Sequence, residues 1–157
     1  MSTAESITLR RATLADAAAI AQHRRSMFRD MGHGDEKALN SMMARFLPWL
    51  ERKMESGEYL AWLAVTIEGR VVAGAGLWLM DWPPHMRGSS ALRGNILNVY
   101  TEPGFRRQGL ARRLVATVLD WCKNNKIDVV ILHASREGRP LYESMGFEAS
   151  NEMRINL

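Results

Sequence analysis

Three things are scarce in this chain of 157 residues: cysteine, long apolar runs and an excess of charge of one sign. The single cysteine, Cys122, cannot form a disulfide within the chain, as is typical of proteins from reducing compartments. The longest uncharged apolar run, residues 71–80, is about half of the 20 residues that a membrane-spanning helix needs. Residues 1–11 lack the apolar core of a signal peptide. We therefore expect a cytoplasmic protein with no membrane association.

The overall charge is nearly balanced, with 21 Lys and Arg against 17 Asp and Glu and a net charge of +4. Apolar residues make up 46% and charged residues 24%, which predicts one ordinary globular domain over residues 1–157. The notable feature is local, because Arg106, Arg107, Arg112 and Arg113 all lie within residues 106–113. This density indicates an anionic ligand. A nucleic acid is not expected, since the arginines form no extended stripe and no aromatic residues alternate with them.

Hydrophobic periodicity predicts an α+β (mixed α/β) protein whose helices cover a mostly antiparallel sheet. Pro48 lies inside the second predicted helix and is expected to kink or split it. A loop over Asp81–Gly94 separates the third and fourth strands. The predicted strands are Ile7–Arg10, Tyr59–Ile67, Arg70–Met80, Asn95–Thr101, Ile127–His133 and a final pair from Phe147 to Leu157; the predicted helices are Ala15–Met31, Asp35–Glu55, Gly109–Asn125 and Gly138–Met145.

The most informative stretch is Val99–Arg113, in which a strand stops at Pro103 and a glycine-containing turn leads into a helix. The first N–H groups of a helix have no backbone partner and carry partial positive charge, so they can bind a phosphate. Gly109 would let a ligand oxygen approach the backbone closely. A solvated surface turn is the alternative interpretation of the same residues. The Gly-Lys-Ser/Thr element of a P-loop is absent, as is the G-x-G-x-x-G dinucleotide fingerprint.

Two motifs in this chain resemble those of the GCN5-related N-acetyltransferase (GNAT) family. The segment Arg106-Arg107-Gln108-Gly109-Leu110-Ala111 is similar to that family's Q/R-x-x-G-x-G/A motif. Downstream, Leu141-Tyr142-Glu143-Ser144-Met145-Gly146-Phe147 resembles its Leu-Tyr-x-x-x-Gly-Phe segment. The order of predicted elements also agrees, so the resemblance covers nearly the whole chain.

The resemblance implies a twisted, mixed and mostly antiparallel sheet of about seven strands with about four flanking helices. Strands four and five would be parallel and splayed, with the pantetheine arm of acetyl-CoA entering the gap. Acetyl-CoA would be the cosubstrate and a primary amine the acceptor. The residues implied to bind the cofactor are Val99, Tyr100, Thr101, Arg106, Arg107, Gln108, Gly109, Leu110, Ala111, Arg112 and Ser135, the last standing where many relatives have an asparagine.

Tyr142 matches the family's usual general acid, which protonates the departing CoA thiolate. A phenol with a reference pKa of about 10 is protonated at neutral pH and suits that role. The general base is less clear, because Val130 occupies the position where some relatives carry a glutamate. Asp81, His85 and Glu102 are the candidates, and a chain of water molecules is an equal alternative. No His/Cys cluster has metal-ligand spacing, so we expect no metal.

Two further functional alternatives remain open from the sequence. The same fold could act as a non-catalytic acyl-CoA-binding or regulatory module, and Tyr142 favours the enzyme over this alternative. The acceptor could be a small molecule or a peptide. Trp78, Trp82, Pro83 and Pro84 could line its pocket, although core packing is the preferred interpretation of Trp78. The resemblance also makes a homodimer possible.

Overall fold

Five strands form a single sheet in the computed structural model, which describes residues 6–157. Neighbouring strands pair in the order β1-β2-β3-β4-β5, antiparallel as far as β4, whereas β4 and β5 are parallel. This confirms the predicted mixed, mostly antiparallel sheet. The strands are β1 (Thr8–Arg11), β2 (Tyr59–Val65), β3 (Val71–Asp81), β4 (Leu92–Thr101) and β5 (Val130–Leu132).

Four helices cover the two faces of the sheet: α1 (Ala17–Asp30), α2 (Glu36–Glu55), α3 (Leu110–Asn124) and α4 (Arg139–Ser144). Alternation along β2 divides the core between the faces. Trp62 belongs to the apolar cluster that contains α3, whereas Tyr59 and Leu63 belong to the cluster that contains α1 and α2. The sheet is therefore buried on both faces, with α3 on one face and α1 and α2 on the other. No helix within residues 6–157 combines the length and the apolarity needed to cross a bilayer.

Pro48 does not split α2, which continues from Glu36 to Glu55. The side chains of Phe46 and Leu50, on either side of the proline, are both buried against the sheet. Asp35 caps the helix start by accepting the N–H groups of Lys37 and Ala38. Packing on both sides of the proline offsets the one intrahelical hydrogen bond that it removes.

The expected count of seven strands is not found, because no strand is assigned after Leu132 in residues 6–157. The segment after Phe147 alternates apolar and polar residues, which led to the prediction of a strand pair. Met153, Ile155 and Leu157 are all more than three-quarters exposed, so this alternation buries no apolar face. Strands gain most of their stability from packing of such a face, and the segment therefore forms no ladder.

The other differences lie at element ends. β4 begins at Leu92 rather than Asn95, since Leu92 and Arg93 pair with Asp81 and Met80 of β3 and thereby shorten the predicted loop. β5 is reduced to three residues because its pairing with β4 extends only from Val130 to Leu132. This short pairing has a direct consequence for the site.

Candidate active site

A cleft of about 1510 Å³ opens where β4 and β5 separate. Parallel pairing covers only Gly94–Ile96 against Val130–Leu132. Beyond these residues, Leu97–Thr101 of β4 and the segment 133–135 line the cleft from opposite sides. An unpaired strand edge offers N–H and C=O groups that an amide-containing ligand can satisfy. The predicted parallel pairing is confirmed, and the strands diverge at the residues that were expected to bind the pantetheine arm.

A bulge in β4 lies among the residues that line this cleft. Leu97 pairs with Gly76 and Tyr100 with Gly74, so that Asn98 and Val99 together face Ala75. Asn98 has a φ of 55°, in the left-handed region that is unusual for a residue other than glycine. Bulges of this kind change the direction in which a side chain points. Here the bulge allows the buried Asn98 side chain to bond with partners from two other elements.

Asn98 joins β2 to α1 through its amide. Its Nδ2 donates a hydrogen bond to the Tyr59 hydroxyl at 2.9 Å, and its Oδ1 accepts one from Arg24 Nη1 at 2.7 Å. Burial raises the pKa of Tyr59 to about 12, so its hydroxyl remains protonated at any physiological pH. Gly76 makes room for this ring, since a Cβ there would overlap the Tyr59 hydroxyl.

A set of unpaired N–H groups marks the start of α3. Gly109 has a φ of 75° and immediately precedes the first helical residue, Leu110. The backbone N–H groups of residues 107–112 donate to no protein atom within residues 6–157. Gly109 has open space where a Cβ would be, so a ligand could approach it directly. These groups lie at the positive end of the helix dipole, and the arrangement suits a phosphate. Of the side chains, Arg107 and Gln108 are exposed, Leu110 is buried in the core and Ala111 is half-buried.

Two arginines of this region are held by other side chains. Arg106 donates from Nη2 to Asp30 Oδ2 at 2.7 Å and from Nε to the Thr101 carbonyl at 2.8 Å, so it connects α1 to the end of β4. Arg112 donates from Nη2 to Ser144 Oγ of α4 at 2.6 Å. Arg106 and Arg112 thus connect residues 106–112 to α1 on one side of the cleft and to α4 on the other. Of residues 106–112, only Arg106 lines the cleft.

Tyr142 lies on α4 with its side chain lining the cleft. Its ring packs edge-on against Phe147 with centroids 5.8 Å apart. Burial raises the pKa of Tyr142, which keeps the phenol protonated and able to donate a proton. Ser135 lines the same cleft, and its Oγ accepts the N–H of Gly138 at 3.1 Å. Val99, Tyr100, Thr101, Ser135 and Tyr142 are thus brought together.

The candidate bases are not among the residues that line the cleft. Asp81 is exposed at the end of β3, and His85 lies in the following loop, where its Nδ1 accepts the N–H of Arg87 at 3.1 Å. Glu102 forms an ion pair with Arg70. A base role for any of these groups stays a prediction. Within residues 6–157 no three His, Cys, Asp or Glu side chains come together to hold a metal ion.

The sequence analysis missed two residues of this site, Arg24 and Asn98. Arg24 could have been noticed because it is four residues from both Ile20 and Phe28, on the apolar stripe of α1. An arginine at such a position buries its aliphatic stem and can bring its guanidinium next to the core. Nothing in the sequence indicates the bulge that turns Asn98 toward it.

Comparison with known proteins gives consistent results. A family model described as "Acetyltransferase (GNAT) family" matches residues 18–147. The chain is 33% identical over 90 residues to a glucosamine 6-phosphate N-acetyltransferase from Trypanosoma brucei brucei; this match covers 57% of the chain and spans only 59% of that relative's length.

Solved structures match over nearly their whole length. A GCN5-related N-acetyltransferase from Ralstonia eutropha JMP134 has a TM-score of 0.90 and 31% identity, covering 97% of this chain and 99% of that one. A predicted acetyltransferase from Clostridium acetobutylicum, solved with acetyl-CoA, has a TM-score of 0.87 and 24% identity and covers 96% of each chain.

Proposed function

This chain belongs to the acetyltransferase (GNAT) family, and we propose that it transfers the acetyl group of acetyl-CoA to a primary amine by direct attack. The observation that carries this proposal is that two binding features occur together in this structure. One is the row of free N–H groups at residues 107–112. The other is the open edge of β4 beside the gap to β5. A pyrophosphate fits the first and an amide-containing arm fits the second.

The residues of the chain have separate roles in this proposal. The N–H groups from Arg107 to Arg112 would hold the pyrophosphate, with positive charge added by the surrounding arginines. Val99, Tyr100 and Thr101 would bond the arm along β4, and Ser135 would add one hydrogen bond from the opposite side. Bound acetyl-CoA supplies a thioester that a neutral amine can attack.

Tyr142 would act as general acid. The amine nitrogen forms a bond to the acetyl carbon while the carbon–sulfur bond breaks, and the sulfur takes the phenolic proton. The amine proton passes to solvent or to a base, and the phenolate is then reprotonated. The raised pKa of Tyr142 supports this role, because the group begins each cycle protonated.

Release of free thiol from acetyl-CoA, measured across a panel of amines, tests the proposal. Replacing Tyr142 with Phe removes the proton and keeps the ring, so we expect turnover at saturating substrate to fall about 100-fold or more. Affinity for acetyl-CoA should change less than about twofold. Unchanged turnover in this variant would exclude Tyr142 as the acid.

A non-catalytic acyl-CoA-binding module is the second candidate. It is favoured by one observation, namely that none of the candidate bases lines the cleft. Tight binding of acetyl-CoA without thiol release for any amine would support the module and overturn the enzyme. If the wild-type protein does not bind acetyl-CoA at all, both the transferase and the binding module are excluded.

A further inference from the structure

We propose that the end of the cleft between α1, α2 and β4 recognises a carboxylate, held by Arg24, and that the acceptor is an apolar α-amino acid. This inference rests on the acetyl transfer proposed above and adds the chemical class of the acceptor. It is drawn from the surroundings of Arg24, from the charge at this end of the cleft and from its aromatic wall.

The guanidinium of Arg24 is held by its neighbours, but two of its three nitrogen atoms have no hydrogen-bond partner within residues 6–157. Its Cζ lies 4.9 Å from the ring centroid of Phe28 and 4.7 Å from that of Phe46. Nη1 donates to Asn98 Oδ1 at 2.7 Å, and Nε is buried with no hydrogen-bond partner. Nη2 also has no protein partner within residues 6–157, but unlike Nε it is not sealed from solvent. Because the side chain lines the cleft, this edge is available to a ligand.

The charge of Arg24 has no carboxylate to balance it within residues 6–157. Its partner Asn98 is neutral, and burial lowers the pKa of Arg24, because removal from water disfavours the charged form. A partly buried cation with no counterion is unfavourable, and a ligand oxyanion that bonds to its free edge removes that cost. The position is therefore suited to an anion.

The neighbouring charges point the same way. Arg45 lines this end of the cleft, and its Nε donates only to the Ser41 carbonyl. Asp30 also lines the cleft but is already paired with Arg106. Of the charged side chains that α1 and α2 contribute to the cleft, Arg24 and Arg45 thus have no carboxylate partner within residues 6–157, and the one carboxylate, Asp30, is already paired. Such a field disfavours polycationic acceptors and attracts anionic ones.

The remaining wall is aromatic. Trp49 contacts the ring of Trp78 edge-on at 5.4 Å between centroids and stacks on Phe46 at 5.8 Å. All three side chains line the cleft. Apolar aromatic walls bind apolar ligand bodies, while a few polar groups fix the orientation. The rings of this wall offer a hydrophobic side chain apolar contact surface, which the hydroxyl groups of a sugar phosphate cannot use in the same way.

The position of Arg24 restricts where the amine can be. Asn98, to which Arg24 is bonded, directly precedes Val99, the first of the three β4 residues proposed to bond the arm of acetyl-CoA, and this arm ends in the reacting thioester. A carboxylate on Arg24 is thus close to the reacting centre. The amine must be separated from the carboxylate by very few bonds, which favours an α-amino group over the distant amine of a lysine side chain.

Calorimetric titration of the protein saturated with CoA tests this directly. Phenylalanine is compared with phenethylamine, which lacks only the carboxylate, and with glucosamine 6-phosphate, which carries a phosphate. We expect phenylalanine to bind at least about tenfold more tightly than either. In Arg24→Met the affinity for phenylalanine should fall at least about tenfold, while that for phenethylamine changes less than about threefold.

Arg52→Met is the matched control, because Arg52 is exposed on α2 and does not line the cleft. It should leave both affinities unchanged. Arg24→Lys keeps the charge but loses the planar fork, and should retain part of the preference. Urea denaturation checks that each variant is folded, and the wild-type comparison of the two ligands needs no variant.

Equal wild-type affinities for phenylalanine and phenethylamine, or no detectable binding of phenylalanine, would overturn the inference. Tighter binding of glucosamine 6-phosphate than of phenylalanine would overturn the carboxylate assignment in favour of phosphate. Thiol release separates the two proposals. Acetylation of amines without preference for a carboxylate would overturn this inference alone, whereas no release with any amine would overturn the transferase.

Discussion

Replacing Gly109 with Ala should weaken CoA binding far more than it weakens the fold. A residue with a Cβ at the Gly109 φ of 75° costs about 1–2 kcal/mol of backbone strain. The lower entropy of the unfolded chain returns about 0.4–1 kcal/mol. The free energy of unfolding should therefore fall by about 1 kcal/mol, since no protein atom lies within 4 Å of the added Cβ.

The effect on binding has a different origin. The Cβ would occupy the space through which a phosphate oxygen approaches the N–H groups of residues 107–112. Losing one hydrogen bond to a charged group costs about 1.5–3 kcal/mol, which corresponds to an increase in Kd of about 10- to 150-fold. Calorimetric titration with CoA measures this increase, and urea denaturation measures the change in stability.

The chain contains a closely matched control in Gly57. Its φ is 76°, and a Cβ added there would also have no atom within 4 Å, but Gly57 lies after α2 and away from the cleft. Gly57→Ala should lose the same stability with no change in Kd. If the two variants weaken CoA binding equally, or if neither does, the assignment of the turn as the pyrophosphate site is wrong.

Three further predictions concern the core around the site. Gly76→Ala displaces the Tyr59 ring and leaves its hydrogen-bond partner unpaired, so it should lower the free energy of unfolding by about 2–4 kcal/mol in urea denaturation. Gly34→Ala is the control, because no atom lies within 4 Å of the added Cβ, and it should change the free energy of unfolding by less than about 0.5 kcal/mol. Equal losses of stability in the two variants would contradict this prediction. Burial lowers the pKa of His23 below its unfolded value, so the unfolded state binds the extra proton and stability falls as pH drops below about 6.5. The urea concentration at the unfolding midpoint should therefore be lower at pH 5.5 than at pH 7.5, and the difference should be smaller in His23→Gln. An equal difference in the wild-type protein and in this variant would refute this. Burial raises the pKa of Cys122 to about 11, so the native protein should react with a thiol reagent at pH 8 much more slowly than the urea-unfolded chain, and equal rates would refute its burial.

The parts of the fold that follow from local patterns could be predicted from the sequence. The stripe of Leu114 and Val118 defines α3, and the strand-turn-helix order around Gly109 predicts the anion site. The terminal strand pair could not be excluded in this way, because alternation does not reveal whether Ile155 has anything to pack against. The continuity of α2 through Pro48 was likewise not predictable, because it depends on tertiary contacts of Phe46 and Leu50 that the sequence does not show.

The acceptor end of the cleft depends on contacts between residues far apart in the chain. Arg24 and Asn98 are 74 positions apart, and the bulge that joins them arises from the pairing of β4 with β3. Sequence periodicity describes neighbours along one element and carries no information on such a contact. The motifs therefore predict the cofactor side, whereas the acceptor side emerges from the packing of α1 on β4.

The same packing explains how β4 can keep an open edge. Between Leu97 and Thr101 the strand has no ladder to β5, and an unpaired strand edge is ordinarily less well fixed. Two arginines supply the missing restraint. Arg24 of α1 bonds to Asn98 at one end of this stretch, and Arg106 connects the Thr101 carbonyl at the other end to Asp30 of α1. Side-chain bonds to a helix thus replace backbone bonds to a strand. Apart from the Thr101 carbonyl, the N–H and C=O groups that this stretch turns toward the cleft have no β5 partner and can bond a ligand while the strand stays in position.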